Sequence, residues 1–217
     1  MVTDIKFCGL TRPEDAEYAA TLGAAYVGVI FAGGPRMLTV DRAAEVFGSV
    51  PASVRRVGVF ADQPPEAIAE IADRLRLGVV QLHGASDAER IGAIRRRFRG
   101  AIWPVCRISG VPFPAEMDEA LTAGDGVLVD TLVPGQLGGT GTALPWAEIA
   151  GEFATVHTRA RLLVLAGGLR PENVRQAIAT LSPDVVDVSS GVERAPGIKD
   201  HDRMRAFRDA VQGSLQS

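Results

Sequence analysis

Residues 57–84 read VGVFADQPPEAIAEIADRLRLGVVQLHG, and they hold one full repeat of the pattern that decides the fold. Val57 to Phe60 is a short apolar run of strand length. Pro65 to Leu75 then places apolar residues at helical spacing, and Val79 to Leu82 is a second strand-like run. The helix start is marked by Pro64, Pro65 and Glu66, because the first turn has no use for the N–H that proline lacks. A strand, a helix and a second strand in so short a span form a βαβ unit, which calls for a parallel sheet.

The same rhythm extends in both directions. Upstream lie Ile5 to Cys8, Pro13 to Leu22, Tyr26 to Phe31 and Asp41 to Phe47. Downstream, after a helix from Asp87 to Phe98, come Ile102 to Ile108 with Pro114 to Ala123 and Val127 to Asp130 with Pro145 to Phe153. Leu162 to Leu165 with Pro171 to Leu181, and Val185 to Val188 with Asp200 to Gln212, complete eight β-then-α units. Parallel strands joined by helices must cover both sheet faces, and eight units in 217 residues point to an α/β fold closed as a (β/α)8 TIM barrel, residues 1–217 forming a single domain. An open doubly wound sheet is the alternative. Most connections are short; the exception is the stretch from Thr131 to Ala143, with Pro134, Gly135, Gly138, Gly139 and Gly141, and loops of that length usually carry function or move.

Composition excludes several classes. A hydrophobic fraction of 47% suits a full core rather than disorder. A net charge of -3 disfavours nucleic acid, which needs a concentrated basic surface. The one basic run, Arg95, Arg96, Arg97 and Arg99, falls late in a helix, where positive charge suits the dipole, and reads as a solvated face. Two cysteines on different strands, Cys8 and Cys106, give no disulfide framework and suit a reducing cytoplasm. The N-terminal MVTDIKF lacks the features of a secretory leader, and no apolar stretch approaches the roughly 20 residues of a membrane span.

In a barrel, side chains alternate between interior and helical layer, and chemistry gathers at the C-terminal ends of strands. Cys8 and Asp130 end the first and sixth strands, so a ring of strand ends brings thiol and carboxylate to one mouth. A buried, inert cysteine is the bland reading of Cys8; at the mouth, with Gly9 and Thr11 following, its pKa should fall somewhat below the usual ~8.5 and supply a base. Asp130 either orients its loop or, within an apolar run, has an elevated pKa and acts as an acid. Cys106 reads as packing. Lys6 shares a face with Cys8 and inside the barrel needs an anionic or hydrogen-bonding partner, a structural or electrostatic role. His83, at a strand end, reads as a hydrogen-bonding group on the substrate side, because histidines at 83, 157 and 201 do not make a metal set. Arg36 either clamps a carboxylate bidentately or lies on the surface. Gly167-Gly168 and Ser189-Ser190-Gly191 follow the seventh and eighth strands, where many barrels bind phosphate.

The motifs KFCGLTRPEDA at 6–16, GVFAD at 58–62, VQLHG at 80–84, LVDT at 128–131, GGTG at 138–141, AGGLRPENV at 166–174 and DVSSGVERAPGIKD at 187–200 occur in that order along the chain. With them the chain closely resembles the phosphoribosylanthranilate isomerase family of tryptophan biosynthesis. The resemblance implies an Amadori rearrangement of a phosphoribosyl-arylamine to a deoxyribulose phosphate, with no metal or organic cofactor. It implies Asp130 as the acid that opens the sugar ring and Cys8 as the base at sugar C2. It also matches Arg36 to a carboxylate-binding arginine, Gly168, Ser190 and Gly191 to phosphate loops, and Asp187 to a position near the sugar hydroxyls. FAGGPRMLT at 31–39 departs from the family's usual pattern around Arg36, with Gly-Gly before Pro35 and Met37-Leu38 after the arginine. A related barrel isomerase of histidine biosynthesis performs the same rearrangement with an aspartate where this chain has Cys8, and a non-catalytic phosphosugar-binding barrel is the reading from a different class. The implied partner is a small phosphosugar rather than nucleic acid or membrane, with the chain a monomer or homodimer.

Overall fold

Short apolar strands need neighbours along both edges, and here they find them by closing on themselves. The computed structural model describes residues 2–131 and 146–213. The strands β1 (Asp4–Phe7), β2 (Tyr26–Ile30), β3 (Arg55–Phe60), β4 (Val79–Leu82), β5 (Ala101–Ile108), β6 (Val127–Thr131), β7 (Leu163–Ala166) and β8 (Val185–Val188) form a closed barrel in chain order. Every neighbouring pair is parallel, and β1 bonds to both β2 and β8. The helices α1 (Pro13–Thr21), α2 (Val40–Gly48), α3 (Pro65–Leu75), α4 (Ala88–Arg95), α5 (Glu116–Ala123), α6 (Trp146–Arg159), α7 (Val174–Leu181) and α8 (His201–Gly213) follow the strands in turn. The barrel expectation holds, and the open sheet is excluded by the β1–β8 pairing. The glycines of the expected long loop, the GGTG motif and Pro145 lie outside the described residues.

Strand alternation sorts the side chains into two cores. Ile5, Phe7, Val27, Val29, Val80, Leu82, Val127, Val129, Val186 and Val188 face the helices, where α3 meets them with Ile68, Ala72 and Leu75. Tyr26, Val57, Val79, Trp103, Leu128, Val164 and Val185 fill the interior as a second cluster, with Tyr26 and Trp103 edge to face at 4.9 Å. Each large side chain withdrawn from water this way contributes about 1.5–3 kcal/mol. One interior step further along the strands, this plug gives way to Gln81, Asp130 and Asp187, which is how the fold lifts polar groups onto an apolar floor.

The boundaries depart from the sequence reading in instructive places. β1 ends at Phe7, so Cys8 stands just past it, although its N–H still extends the ladder to the Val188 carbonyl at 2.9 Å. α6 runs on to Arg159 because Val156 continues the buried stripe of Ile149 and Phe153. α7 starts at Val174 rather than Pro171, since Asn173 is engaged in the preceding turn, accepting from the Arg170 N–H and donating to the Gly168 carbonyl. Between β8 and α8 the chain makes an unexpected antiparallel hairpin of β9 (Glu193–Ala195) and β10 (Ile198–Lys199). The basic run is a solvated face: Arg95 pairs with Asp125 and Arg97 with Glu66, all near the surface. Among the described residues no helix is long and apolar enough to cross a membrane.

Candidate active site

Cys8, Arg36, His83, Asp130, Gly168, Asp187 and Ser190 all line one cavity of ≈ 340 Å³ at the C-terminal ends of the strands. The first and sixth strands therefore do deliver thiol and carboxylate to a common space. Gln81, on the same face of β4 as His83, joins them; it is only 3% exposed and its Oε1 has no hydrogen-bond partner among the described residues. The other two histidines are engaged elsewhere, His157 with Asp184 and His201 with the buried Asp15. Cys106 faces the helical layer, as a packing residue should.

Lys6 finds its anionic partner in Asp187, with Nζ 2.8 Å from Oδ2 and both side chains buried. Asp187 thus keeps one oxygen for the lysine while Oδ1 is left without a partner among the described residues. Gly28 makes room for this arrangement. A Cβ there would sit 3.1 Å from Cys8 Sγ and 3.4 Å from Lys6 Cε, so the same absent side chain accommodates both reactive groups.

Arg36 does clamp a carboxylate bidentately, but that carboxylate is the protein's own. Its Nε and Nη2 donate to Glu193 Oε1 and Oε2 at 2.8 and 2.6 Å. Gly33 and Gly34, the departures noted before Pro35, adopt φ of +95° and +85°, a region that costs glycine nothing. Across the cavity, Gly168 has φ +63° and lies in the wall with Ser190 and Ser189. Gly191 stands behind that wall rather than in it. A Cβ there would fall 1.9 Å from the Leu169 carbonyl oxygen, so Gly191 lets the loops after β7 and β8 touch.

The chain matches the family model described as N-(5'phosphoribosyl)anthranilate (PRA) isomerase over residues 5–210. It belongs to that family. The N-(5'-phosphoribosyl)anthranilate isomerase of Geotalea uraniireducens is 38% identical over 213 residues, covering 98% of this chain and 100% of the relative. The crystal structure of phosphoribosyl anthranilate isomerase from Thermotoga maritima superposes with TM-score 0.86 at 36% identity, covering 98% of this chain and 100% of the other. A phosphoribosyl anthranilate isomerase in complex with reduced 1-(o-carboxyphenylamino)-1-deoxyribulose 5-phosphate matches at TM-score 0.83 and 35% identity, again over 98% and 100% of the two chains.

For a PRA isomerase the electrostatics of the two reactive groups matter most. Burial, reinforced by the charge of Asp187, pushes the Asp130 carboxyl up to about 6, with Arg107 and Lys6 pulling the other way. That agrees with the expectation for a carboxyl set in an apolar run. Cys8 overturns the expectation of a lowered pKa. Burial pushes the thiol above its usual value, and the charges of Lys6 and Lys199 offset this only in part while Asp187 adds to it. His83 is shifted down by burial and the Arg107 charge, which favours the neutral ring. Sequence reading placed Ser189 in the loop after the eighth strand but did not single out Gln81, Glu193 or Lys199. The alternation that placed His83 in the interior also places Gln81 there, whereas the hairpin pair has no such periodic signal.

Proposed function

We propose that this chain isomerises N-(5'-phosphoribosyl)anthranilate to 1-(2-carboxyphenylamino)-1-deoxyribulose 5-phosphate, with Asp130 as general acid and Cys8 as general base. The observation that carries the reading is the presence of both groups in one cavity lining, with a cationic group, Arg36, and the glycine-rich loop of Gly167 and Gly168 in the same lining. In the first step Asp130 gives its proton to the furanose ring oxygen, and the nitrogen lone pair closes to a protonated Schiff base as the ring C–O bond breaks. A carboxyl near 6 holds a proton far more readily at working pH than an ordinary aspartate. The iminium then acidifies the adjacent C2–H, the Cys8 thiolate removes that proton, and the resulting enolamine tautomerises to the ketone. The partly offsetting charges of Lys6 and Lys199 favour the thiolate needed at that moment.

On this reading Arg36 takes the ring carboxylate, Asp187 and His83 face the sugar, and Gly168 and Ser190 hold the phosphate with Gly191 supporting them from behind. The chain works as one (β/α)8 domain, residues 1–217, in the reducing cytoplasm where Cys8 stays a free thiol, as a monomer or homodimer. Cys8→Ala and Asp130→Asn should each abolish turnover, followed as loss of substrate fluorescence, while binding of the reduced product analogue stays within about threefold, roughly 0.7 kcal/mol. Wild-type turnover in both variants would refute the acid and base roles. The histidine-pathway ribonucleotide assayed in parallel should give no turnover, because the sulfur at position 8 replaces the aspartate of that relative.

A further inference from the structure

Arg36 enters the cavity with one edge of its guanidinium already committed. Nε and Nη2 bond in parallel to Glu193 at 2.8 and 2.6 Å, which leaves the Nη1 side of the planar fork turned away from the glutamate and able to take a second carboxylate. Glu193 is itself held. Its side chain is 5% exposed, and Oε1 also accepts from Lys199 Nζ at 2.9 Å. Lys199, at 0% exposed, donates in addition to the Ser189 carbonyl at 3.0 Å, next to Ser190 in the cavity wall. The pair sits on facing strands of the hairpin, Lys199 opposite Glu193. The stem of Arg36 is packed from the other side by Gly9, where a Cβ would lie 2.7 Å from Cδ.

Burial lowers the Lys199 pKa while the Glu193 charge and hydrogen bond raise it, so the lysine and the glutamate depend on each other. Burial pushes the Glu193 carboxyl up, but the hydrogen bond from Arg36 and the charge of Lys199 outweigh it and hold the group ionised. A neutral side chain in its place would accept from Arg36 far more weakly and would leave a mobile arginine.

We propose that Glu193, fixed by Lys199, is a positioning residue that aims Arg36 at the arylamine carboxylate and so sets selectivity for a carboxylate-bearing substrate. The proposal rests on the reading of Arg36 given above. It makes the hairpin of β9 and β10 a buttress for substrate recognition and links the carboxylate end of the site to the phosphate loop through a single lysine.

The test measures binding of two probes, the reduced product analogue and the same compound without its ring carboxylate. The proteins are wild type, Glu193→Gln, Lys199→Gln, Arg36→Ala and the Arg36→Ala/Glu193→Gln double variant. Glu193→Gln should weaken the carboxylate probe about tenfold and the decarboxylated probe less than about twofold, and KM should rise by the same factor with kcat nearly constant. Lys199→Gln should repeat that selective loss in binding of the two probes, which keeps the idea testable if one variant folds poorly; its kcat should fall as well, because Lys199 also favours the Cys8 thiolate. In the Arg36→Ala background Glu193→Gln should add nothing. Equal weakening of both probes by Glu193→Gln, or a tenfold effect that persists without Arg36, overturns the proposal. If Arg36→Ala weakens both probes equally, the Arg36 reading falls and takes the proposal with it. That result is distinct from selective loss in Arg36→Ala without selective loss in Glu193→Gln, which sinks the positioning role alone.

Discussion

Asp130→Asn should remove turnover and at the same time stabilise the fold, and the gain should depend on pH in a way that identifies its cause. The Asp130 carboxyl is raised from 3.8 to about 6, chiefly by burial. At 1.36 kcal/mol for each pKa unit, that difference corresponds to about 3 kcal/mol acting against the ionised form in the folded protein. Below about pH 4 the carboxyl is protonated in both folded and unfolded chains, and no penalty applies. Between about 4 and 6 the unfolded chain ionises while the folded one keeps its proton. The unfolded state then binds fewer protons, and unfolding free energy falls as pH rises. Above about 6 the folded chain carries the full cost. Asparagine is close in shape and does not titrate, so the variant escapes the penalty.

Urea unfolding of both proteins at a series of pH values from 4 to 8 measures the difference directly. We expect Asn and Asp forms of similar stability near pH 4, and an advantage for Asn that grows to at most about 3 kcal/mol by pH 7.5, or roughly 6–12 °C in Tm for a chain of this size. A difference that stays constant across that range would show that the carboxyl is not raised. An Asn form less stable than the Asp form at pH 7.5 would show that the carboxylate makes stabilising contacts, and the reasoning would fail.

Three other outcomes follow from the same geometry. If Asp130 acts protonated and Cys8 ionised, as proposed, kcat/KM should be level at neutral pH and fall with a midpoint near 6 on the acid side; a midpoint near 4 would mean an ordinary carboxylate. Lys6→Met strands the buried Asp187 carboxylate and should cost about 3–5 kcal/mol in urea unfolding, much of it recovered in Lys6→Met/Asp187→Asn, whereas a loss below about 1 kcal/mol would show the pair to be solvated. Gly28→Ala puts a methyl 3.1 Å from Cys8 Sγ and should lower kcat/KM about tenfold with little change in Tm, and unchanged kinetics would show that the thiol position is not critical.

The fold was legible because its signal is periodic. Val79 to Leu82 is buried throughout, yet the alternation of Val80 and Leu82 with Gln81 and His83 still sorted helical layer from interior, and the structure keeps that sorting. The hairpin of β9 and β10 escaped because three-residue and two-residue strands have no period to read. The chemistry of Arg36 leaves two readings open, a bidentate carboxylate clamp and a surface residue, and the structure decides for a clamp on Glu193. Its partner lies 157 residues away, and nothing in the local pattern of either residue marks the other. Ion pairs of that kind are products of closure, so they become visible only once the barrel has brought the loops after β2 and β8 together.

The misjudged pKa of Cys8 has a different origin. A strand-end position followed by Gly9 and Thr11 lowers a thiol's pKa only where water or positive charge reaches the sulfur. Asp130, at the equivalent position, was judged by its apolar flanks instead, and that judgement holds. The same test applied to Cys8, between Phe7 and the glycine that follows, gives the right sign: an acid enclosed by nonpolar groups loses solvation for its anion whether the atom is sulfur or oxygen. Lys6 and Lys199 act on this thiol from the interior and from the hairpin, and their charges only partly cancel the cost of burial. The barrel mouth is thus a low-dielectric pocket before it is a charged one. Cys8 and Asp130 are both shifted upward by the apolar floor that the strands build beneath them.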